Sequence, residues 1–314
     1  MEDTFKDGLN AIEHTLVMYA EDVVVLPAVK LYEDIPNERI KNLINKCHIY
    51  LIGEVPIIDI KDVHEKGGFV CYDFNMAGKT YKDIALFEMP SNSQFVEENG
   101  RRLIRDDKGD YYDVAKEKVL YRIRDEVGPL GFKVRYIGQA FGEDGKKNAI
   151  ERLLSHSTLQ KISILGVPDG YRLELVLVSI ENGFRLITQF NPFAKKRDNT
   201  DERMKLGLDA YAETNEEERV ALYEAALIRY FQPHFNTHFV NSFPSTNLVC
   251  LKRCYNKDIQ AVVAEINYDP FPYQFFSDTV PMNAEHVAHF DIQKEEDRKT
   301  FFLNDSSKSA PTEI

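Results

Sequence analysis

The sequence predicts an α+β fold, with an N-terminal α+β domain at residues 1–114 and a second domain at residues 115–303. Hydrophobic residues make up 43% of the chain and charged residues 29%, a balance typical of a globular protein with a substantial core. Short apolar runs bounded by turn residues predict strands, and longer segments with apolar residues at three- and four-residue spacing predict helices. The polar stretch at residues 304–314 predicts a disordered tail.

The first domain alternates strand and helix signals. Apolar runs predict strands at Asp22–Leu26, His48–Ile52 and Gly68–Tyr72. Between the first two, Pro36–Lys46 combines an apolar face at helical spacing with a proline near its start, which predicts a helix. Two short runs around a glycine-containing loop predict a β-hairpin at Arg102–Val114.

The second domain has a sharper pattern. Val119–Ile123 and Lys133–Ile137 are predicted strands, because a turn rich in glycine and proline separates two short apolar runs. Lys146–Ile162 is helical in period and is predicted to be one helix. Tyr171–Ile180 is the strongest strand pattern in the chain and is expected at the centre of the sheet, with Phe184–Phe190 extending it or pairing with it.

Two further elements complete this domain. Asn215–Tyr230 is predicted to be an amphipathic helix, since Asn215 is a favourable N-cap and the three glutamates that follow suit the positive end of the helix dipole. Gln260–Ile266 is a predicted strand.

Composition narrows the class of protein. No stretch approaches the roughly 20 apolar residues that span a bilayer, so we expect no membrane association. The N-terminal residues do not form a secretory signal, and four irregularly spaced cysteines do not suggest a disulfide framework, so we expect a cytoplasmic protein. A net charge of −12 argues against a sequence-blind nucleic-acid coat, and any nucleic-acid-binding face must be local.

Several chemically capable side chains follow one another in the second domain. Tyr121 belongs to one predicted strand, and the next strand contains Tyr136 in the triplet Tyr-Ile-Gly. Arg152 and His156 are spaced as Arg-x-x-x-His, which places both on one face of a helix. A guanidinium can bind a phosphate through two hydrogen bonds, and Glu224 supplies a carboxylate of the kind that Mg²⁺ prefers.

In type and order these residues resemble the GIY-YIG nuclease superfamily over about Lys116–Asn241. Val119-Leu120-Tyr121 stands where the family has Gly-Ile-Tyr, so only the tyrosine is carried over. The resemblance implies a small central antiparallel sheet flanked by helices. It also implies hydrolysis of phosphodiester bonds with Mg²⁺ or Mn²⁺ held by a glutamate.

The resemblance also implies roles for individual residues. The first tyrosine, Tyr121, would be the general base for the attacking water, although an ordinary tyrosine pKa of about 10 makes that role demanding. Tyr136 and His156 would orient water or phosphate, and Arg152 would stabilise the charge of the transition state. Glu224 would bind the metal ion, and Asn236 would support the geometry of the site.

Two basic runs are candidates for backbone contacts to a nucleic acid. One is Lys146-Lys147, directly before the predicted helix of Arg152. The other is Lys195-Lys196-Arg197, in the segment between the central strand and the helix of Glu224. Lysine and arginine at these places would contact phosphates and would not read sequence.

The function expected from these observations is a metal-dependent endonuclease acting on DNA. Restriction, antiviral defence against phage, or a mobile element would be suitable settings. Two alternatives stay open: an RNA-cleaving effector nuclease, and a non-catalytic module that binds nucleic acid or protein with the same fold. We expect the N-terminal domain to serve target recognition or regulation, or to bind a partner protein or a second copy of the chain.

Overall fold

The computed structural model shows a mixed α+β fold, which confirms the predicted class, and strands predominate over helices. It describes most of the chain, in the ranges 12–35, 37–98, 101–113, 116–140, 149–181, 185–190, 201–212, 214–241, 243, 259–267 and 273–292.

The strands and helices follow in chain order. The strands are β1 (Ile12–Pro27), β2 (Ile49–Pro56), β3 (Ile58–Lys66), β4 (Phe69–Met76), β5 (Lys79–Glu88), β6 (Gln94–Glu98), β7 (Arg101–Arg105), β8 (Tyr111–Asp113), β9 (Leu130–Gln139), β10 (Tyr171–Ile180), β11 (Arg185–Phe190), β12 (Ala261–Asn267), β13 (Tyr273–Phe276) and β14 (Glu285–Asp291). The α-helices are α1 (Glu38–Lys46), α2 (Lys116–Val127), α3 (Ala149–Leu154), α4 (Ser157–Leu165), α5 (Asp201–Ala212) and α6 (Glu216–Phe231).

The main sheet is larger than predicted and is mixed. Within the described ranges its order is β13-β9-β2-β10-β1-β12-β14, and β11 also pairs with β1. The middle of the sheet, β9-β2-β10-β1, is antiparallel, whereas β13 is parallel to β9 and β12 is parallel to β1. The sheet grows beyond the expected small one because β1 is long enough to pair twice, with β11 and β12 along its first half and with β10 along its second.

The predicted boundary after residue 114 does not separate two sheets. Strand β2 comes from the N-terminal region yet lies between β9 and β10. Nearly every residue of β2 is buried, and such a strand needs neighbours on both edges and a layer on both faces. Residues 58–113 form two three-stranded sheets, β3-β4-β5 and β6-β7-β8, inserted between β2 and α2.

The strand predicted at Val119–Ile123 is wrong, because these residues lie in helix α2. The apolar residues Leu120, Ile123 and Val127 recur at helical spacing and pack into one core, in which Ile123 is fully buried. Tyr121 therefore belongs to a helix and not to a strand beside Tyr136.

The helix predicted at Lys146–Ile162 is also different from the observed structure. It is divided into α3 and α4, and His156 lies between them as the N-cap of α4. The His156 Nδ1 atom accepts a hydrogen bond from the Leu159 N–H at 3.2 Å. The chain can turn there because this side chain satisfies a backbone donor that a continuous helix would have bonded internally.

The other predicted elements agree with the structure where it describes them. The strand at Tyr171–Ile180 is β10, between β2 and β1, and the strand at Lys133–Ile137 lies within β9. The hairpin is β7–β8, and Gly109 in its loop has a φ of 85°. No described helix is long and apolar enough to cross a bilayer.

Two apolar cores lie on opposite faces of the main sheet. One contains Leu51 and Ile137 together with most of α6. The other contains Tyr50 and Ile52 together with residues of α1, α3 and α4. The side chains of β2 alternate between the two cores, as expected for a strand that is buried on both faces.

The first prediction concerns the start of α6. Asn215 and Glu218 form a capping box, in which the Asn215 side chain accepts from the Glu218 N–H at 2.9 Å. We expect Asn215→Ala to lower the free energy of unfolding by about 1 kcal/mol, because a backbone donor loses its partner. Urea denaturation checks this. Glu217→Ala is the control, since Glu217 shares the first turn of the helix but makes no capping bond; an equal loss in both variants would contradict the assignment.

Candidate functional site

The exposed edge of β9 beyond Lys133 is covered by the segment that follows α6. Strand β13 pairs with β9 only as far as Lys133. Beyond that point the Phe235 N–H donates to the Arg135 carbonyl at 3.1 Å. The Asn236 side chain accepts from the Ile137 N–H at 2.9 Å and donates to the Ile137 carbonyl at 2.8 Å. Asn236 therefore takes the place of a neighbouring strand and holds β9 in position.

Tyr50 of β2 lies directly across from Gly138 of β9. A Cβ atom at Gly138 would lie 2.5 Å from the Tyr50 hydroxyl and 2.8 Å from the Tyr136 ring, so only glycine leaves room for both tyrosines. The Tyr50 and Tyr136 ring centroids are 6.2 Å apart, and His156 lies 5.5 Å from the first and 5.0 Å from the second. Three polar rings thus form one cluster on this face of the sheet.

Arg152 joins the cluster from α3. Its side chain is exposed at the surface, and the Tyr50 hydroxyl forms a hydrogen bond with it. Its charge also influences Tyr136 and Glu224, and in the described part of the chain no carboxylate lies within ion-pair distance of its guanidinium. The Tyr50 hydroxyl therefore orients the guanidinium, and the rest of the guanidinium can bind an anionic ligand.

Glu224 reaches the same place from α6, on the other side of the sheet. The residue is 8% exposed, and this burial raises the pKa of its carboxyl to about 8, although a hydrogen bond from the Gln139 backbone and the charge of Arg152 act in the opposite direction. The carboxyl is therefore largely protonated near neutral pH. A divalent cation would favour the carboxylate form, and its binding would release a proton.

Apart from Arg152, the remaining groups of the cluster are also neutral. Burial and the charge of Arg152 lower the pKa of His156. Since its Nδ1 atom accepts a hydrogen bond, the neutral ring carries its proton on Nε2 and can donate from there. Burial, assisted by the negative charge of Glu224, raises the pKa of both Tyr50 and Tyr136, so their hydroxyls are donors at neutral pH.

Glu224 and Gln139 are the residues suited to hold a metal ion in this cluster. The Gln139 Oε1 atom is buried and has no hydrogen-bond partner among the described residues, and its backbone bonds to Glu224. A carboxylate and an uncharged amide oxygen are hard ligands, and Mg²⁺ usually completes its shell with water and phosphate oxygens. The types of ligand atom present therefore fit Mg²⁺ or Mn²⁺.

A second group of ligand atoms lies on the inserted sheet β3-β4-β5. His64, Asp73 and Asp83 have ligand atoms within 4.8 Å of one another. Asp83 already forms contacts with Lys66 Nζ at 2.6 Å and with His64 Nε2 at 2.9 Å. These contacts neutralise the carboxylate, so a bound ion is not needed to explain the arrangement.

Five of the six predicted catalytic residues converge in the cluster. They come from β9, α3, the start of α4, α6 and the segment after α6, and they are Tyr136, Arg152, His156, Glu224 and Asn236. The sixth, Tyr121, lies in helix α2, which packs beside the inserted strand β5, and not on a strand beside Tyr136 as predicted.

Sequence analysis missed Tyr50, which lies beside Tyr136 on the neighbouring strand, where Tyr121 was expected. One signal could have identified it: His48-Ile49-Tyr50 has both the isoleucine and the tyrosine of a Gly-Ile-Tyr triplet within a predicted strand. The basic residues Lys146 and Lys147, and likewise Lys195, Lys196 and Arg197, lie outside the described residues.

A large cavity lies away from this cluster. Its volume is about 670 Å³, and it lies along β1 and α1. Apolar side chains form most of its lining, which also includes the charged residues Arg172 and Glu174. None of the clustered residues lines it. We take the polar cluster as the candidate functional site, because several titratable groups with shifted pKa values meet there in reach of solvent.

Comparison with known proteins supplies no relative. No protein-family model matches the chain, and no curated protein or solved structure matches it.

The shifted pKa of Glu224 predicts a pH dependence of stability. Between its ordinary pKa of 4.5 and about 8, the folded protein holds a proton that the unfolded chain has lost. Stability should therefore fall as pH rises through this window, by an amount on the order of 1 kcal/mol per pH unit. Urea denaturation at pH 6 and pH 8 measures the fall, and Glu224→Gln, which imitates the protonated acid, should reduce it.

Wild type and Glu224→Gln share the histidines whose pKa values are lowered. The difference in pH dependence of stability between the two proteins therefore reports on Glu224 alone. Equal pH dependence in wild type and Glu224→Gln would show that the carboxyl is not in the buried environment described above.

Proposed function

We propose that the chain is a metal-dependent nuclease of the GIY-YIG type that hydrolyses phosphodiester bonds, with DNA as the first substrate to test. The observation that carries the proposal is the meeting of Tyr50, Tyr136, Arg152, His156 and Glu224 from five separate elements. Except for Arg152 and His156, these side chains are far apart in sequence, and packing alone does not require two hydroxyls, an imidazole, a guanidinium and a carboxyl at one place.

The arrangement of the strands supports the resemblance more closely than the sequence did. The tyrosine of Ile49-Tyr50 and the triplet Tyr136-Ile137-Gly138 lie on neighbouring antiparallel strands, with Tyr50 opposite Gly138. Tyr50 is accordingly the first tyrosine of the proposed site, and the departure from the family at Val119-Leu120-Tyr121 no longer weighs against it.

Each side chain has a task that its surroundings favour. The open guanidinium of Arg152 would bind the scissile phosphate and stabilise the charge that develops on it. Tyr50 and Tyr136, kept protonated by burial, would donate hydrogen bonds to phosphate oxygens or to the attacking water. The Nε2–H of His156 would donate to the same group of atoms.

Glu224, with the amide oxygen of Gln139 nearby, would hold the metal ion. When bound, Mg²⁺ or Mn²⁺ polarises the phosphate and lowers the pKa of a coordinated water. Because the carboxyl must lose a proton before it can bind the ion, metal affinity should rise between pH 6 and pH 9. Asn236 supports the site through its two hydrogen bonds to Ile137 and makes no contact with the reacting atoms.

The test is incubation of the purified chain with plasmid DNA and with single-stranded RNA, in parallel, with Mg²⁺ or Mn²⁺. We expect cleavage that EDTA abolishes and that Glu224→Ala reduces by at least about a hundredfold, because the metal ligand is lost. Glu265→Ala is the matched control, since Glu265 is another partly buried carboxylate with a raised pKa, on β12. Cleavage of RNA but not DNA would select the RNA nuclease alternative. Inertness of the wild type on both substrates, or activity that survives Glu224→Ala, would overturn the proposal.

A further inference from the structure

A basic and aromatic surface lies directly beside the candidate site. We call it the Phe235 platform, and it consists of Phe235, Arg135 and Lys161. The Arg135 guanidinium carbon is 5.3 Å from the centre of the Phe235 ring, and Lys161 Nζ is 5.8 Å from it. Lys161 is exposed, whereas Phe235 is partly exposed and packs with the rest of its side chain against the core that contains Tyr50.

The platform is tied to the site through the backbone of β9. Arg135 precedes Tyr136 and lies at a β-bulge, because β2 pairs Ile52 with Tyr136 but Gly53 with Val134. Such a bulge re-aims a side chain, and here it turns the arginine toward the Phe235 ring. Phe235 in turn precedes Asn236, which bonds to Ile137. The platform is therefore held next to the stretch of β9 that carries Tyr136.

The charges of the platform favour a polyanion on a protein that is acidic as a whole. The net charge of the chain is −12, yet Lys161 has no carboxylate within ion-pair distance among the described residues, and the same holds for Arg152. Arg135 differs, since its Nε atom lies 3.4 Å from the buried Glu54 carboxylate. Arg135 is thus balanced and orients the ring, whereas Lys161 is the cation available to a phosphate.

An accessible aromatic ring beside an unbalanced cation is suited to an unpaired nucleotide. Bases of a single strand can stack on an aromatic side chain while lysine and arginine contact the backbone. The bases of an intact duplex present only their edges, so a flat ring gains little from them.

We propose that the Phe235 platform binds a single-stranded or unpaired nucleotide next to the scissile phosphate, with the base against Phe235 and a phosphate on Lys161. This inference rests on the proposed function and defines its substrate class as nucleic acid with at least one unstacked nucleotide, such as a single strand, a flap or a bulge.

The experiment measures binding without turnover. Glu224→Gln serves as the parent protein, and fluorescence anisotropy follows fluorescein-labelled oligothymidine and a labelled duplex of equal length. Adding Phe235→Leu, which keeps an apolar side chain but removes the ring, should weaken oligothymidine binding about tenfold and leave duplex binding within about twofold. Adding Lys161→Ala should reduce the salt dependence of oligothymidine binding by about 0.7 in the log–log slope, which corresponds to one lost phosphate contact.

Two matched variants serve as controls. Phe69→Ala removes a ring that is 41% exposed on the inserted sheet, and Lys79→Ala removes an exposed lysine from the same sheet. Neither should change binding of either oligonucleotide. Thermal melting of every variant identifies any loss of folding.

The outcomes separate this inference from the proposed function. The platform inference is wrong, even when the wild type cleaves DNA, in any of three cases. The platform variants bind oligothymidine as the parent does, or the parent binds neither oligonucleotide. In the third case the platform variants lose affinity for the single strand and for the duplex equally. If the platform variants selectively lose oligothymidine binding while the wild type cleaves nothing, the platform stands and the nuclease proposal fails.

Discussion

The antiparallel pairing of β2 with β9 is the constraint on which the rest of the site depends. It places Tyr50 opposite Gly138, and the missing side chain at Gly138 leaves the space in which the two tyrosine rings lie together. The same pairing leaves the other edge of β9 to be closed by Asn236, which brings the end of α6 against the strand. The geometry of the sheet thereby brings Glu224 of α6, which packs on one face, close to Tyr50 and Tyr136 on the other face.

Burial sets the chemistry that this place can support. Removing Glu224 from water raises the pKa of its carboxyl, and burial likewise keeps the tyrosines protonated and the histidine neutral. The cluster therefore contains one strong positive charge, on Arg152, and several neutral donors. An anionic ligand is favoured, and a divalent cation can enter only by displacing the proton of Glu224. A phosphodiester with a bound metal ion satisfies both conditions.

The sequence predicted elements whose signals are local. The N-cap of α6 and the long apolar run of β10 are such signals, and both elements are where they were expected. The helix α2 was misassigned because a five-residue window does not distinguish an apolar strand from the buried face of a helix. Sheet membership could not be predicted, since β2 and β9 are separated by the inserted strands β3 to β8.

The same insertion explains why the site was predicted only in part. Arg152, Glu224 and Asn236 could be proposed from residue type and order, because they follow Tyr136 in the order that the resemblance implies. The first tyrosine of the proposed site could not be identified in this way, because its strand comes before the insertion of β3 to β8 and no rule of spacing supplies the length of an insertion. Closeness in sequence to Tyr136 favours Tyr121 as the first tyrosine, whereas the pairing of β2 with β9 places Tyr50 beside Tyr136.

The most direct test compares the metal-dependent cleavage rate of Tyr50→Phe with that of Tyr121→Phe. A loss of about a hundredfold or more in the first, with the second within about twofold of wild type, is the result expected when only Tyr50 serves the reaction. Full activity in Tyr50→Phe, or an equal loss in Tyr121→Phe, would contradict the site as described.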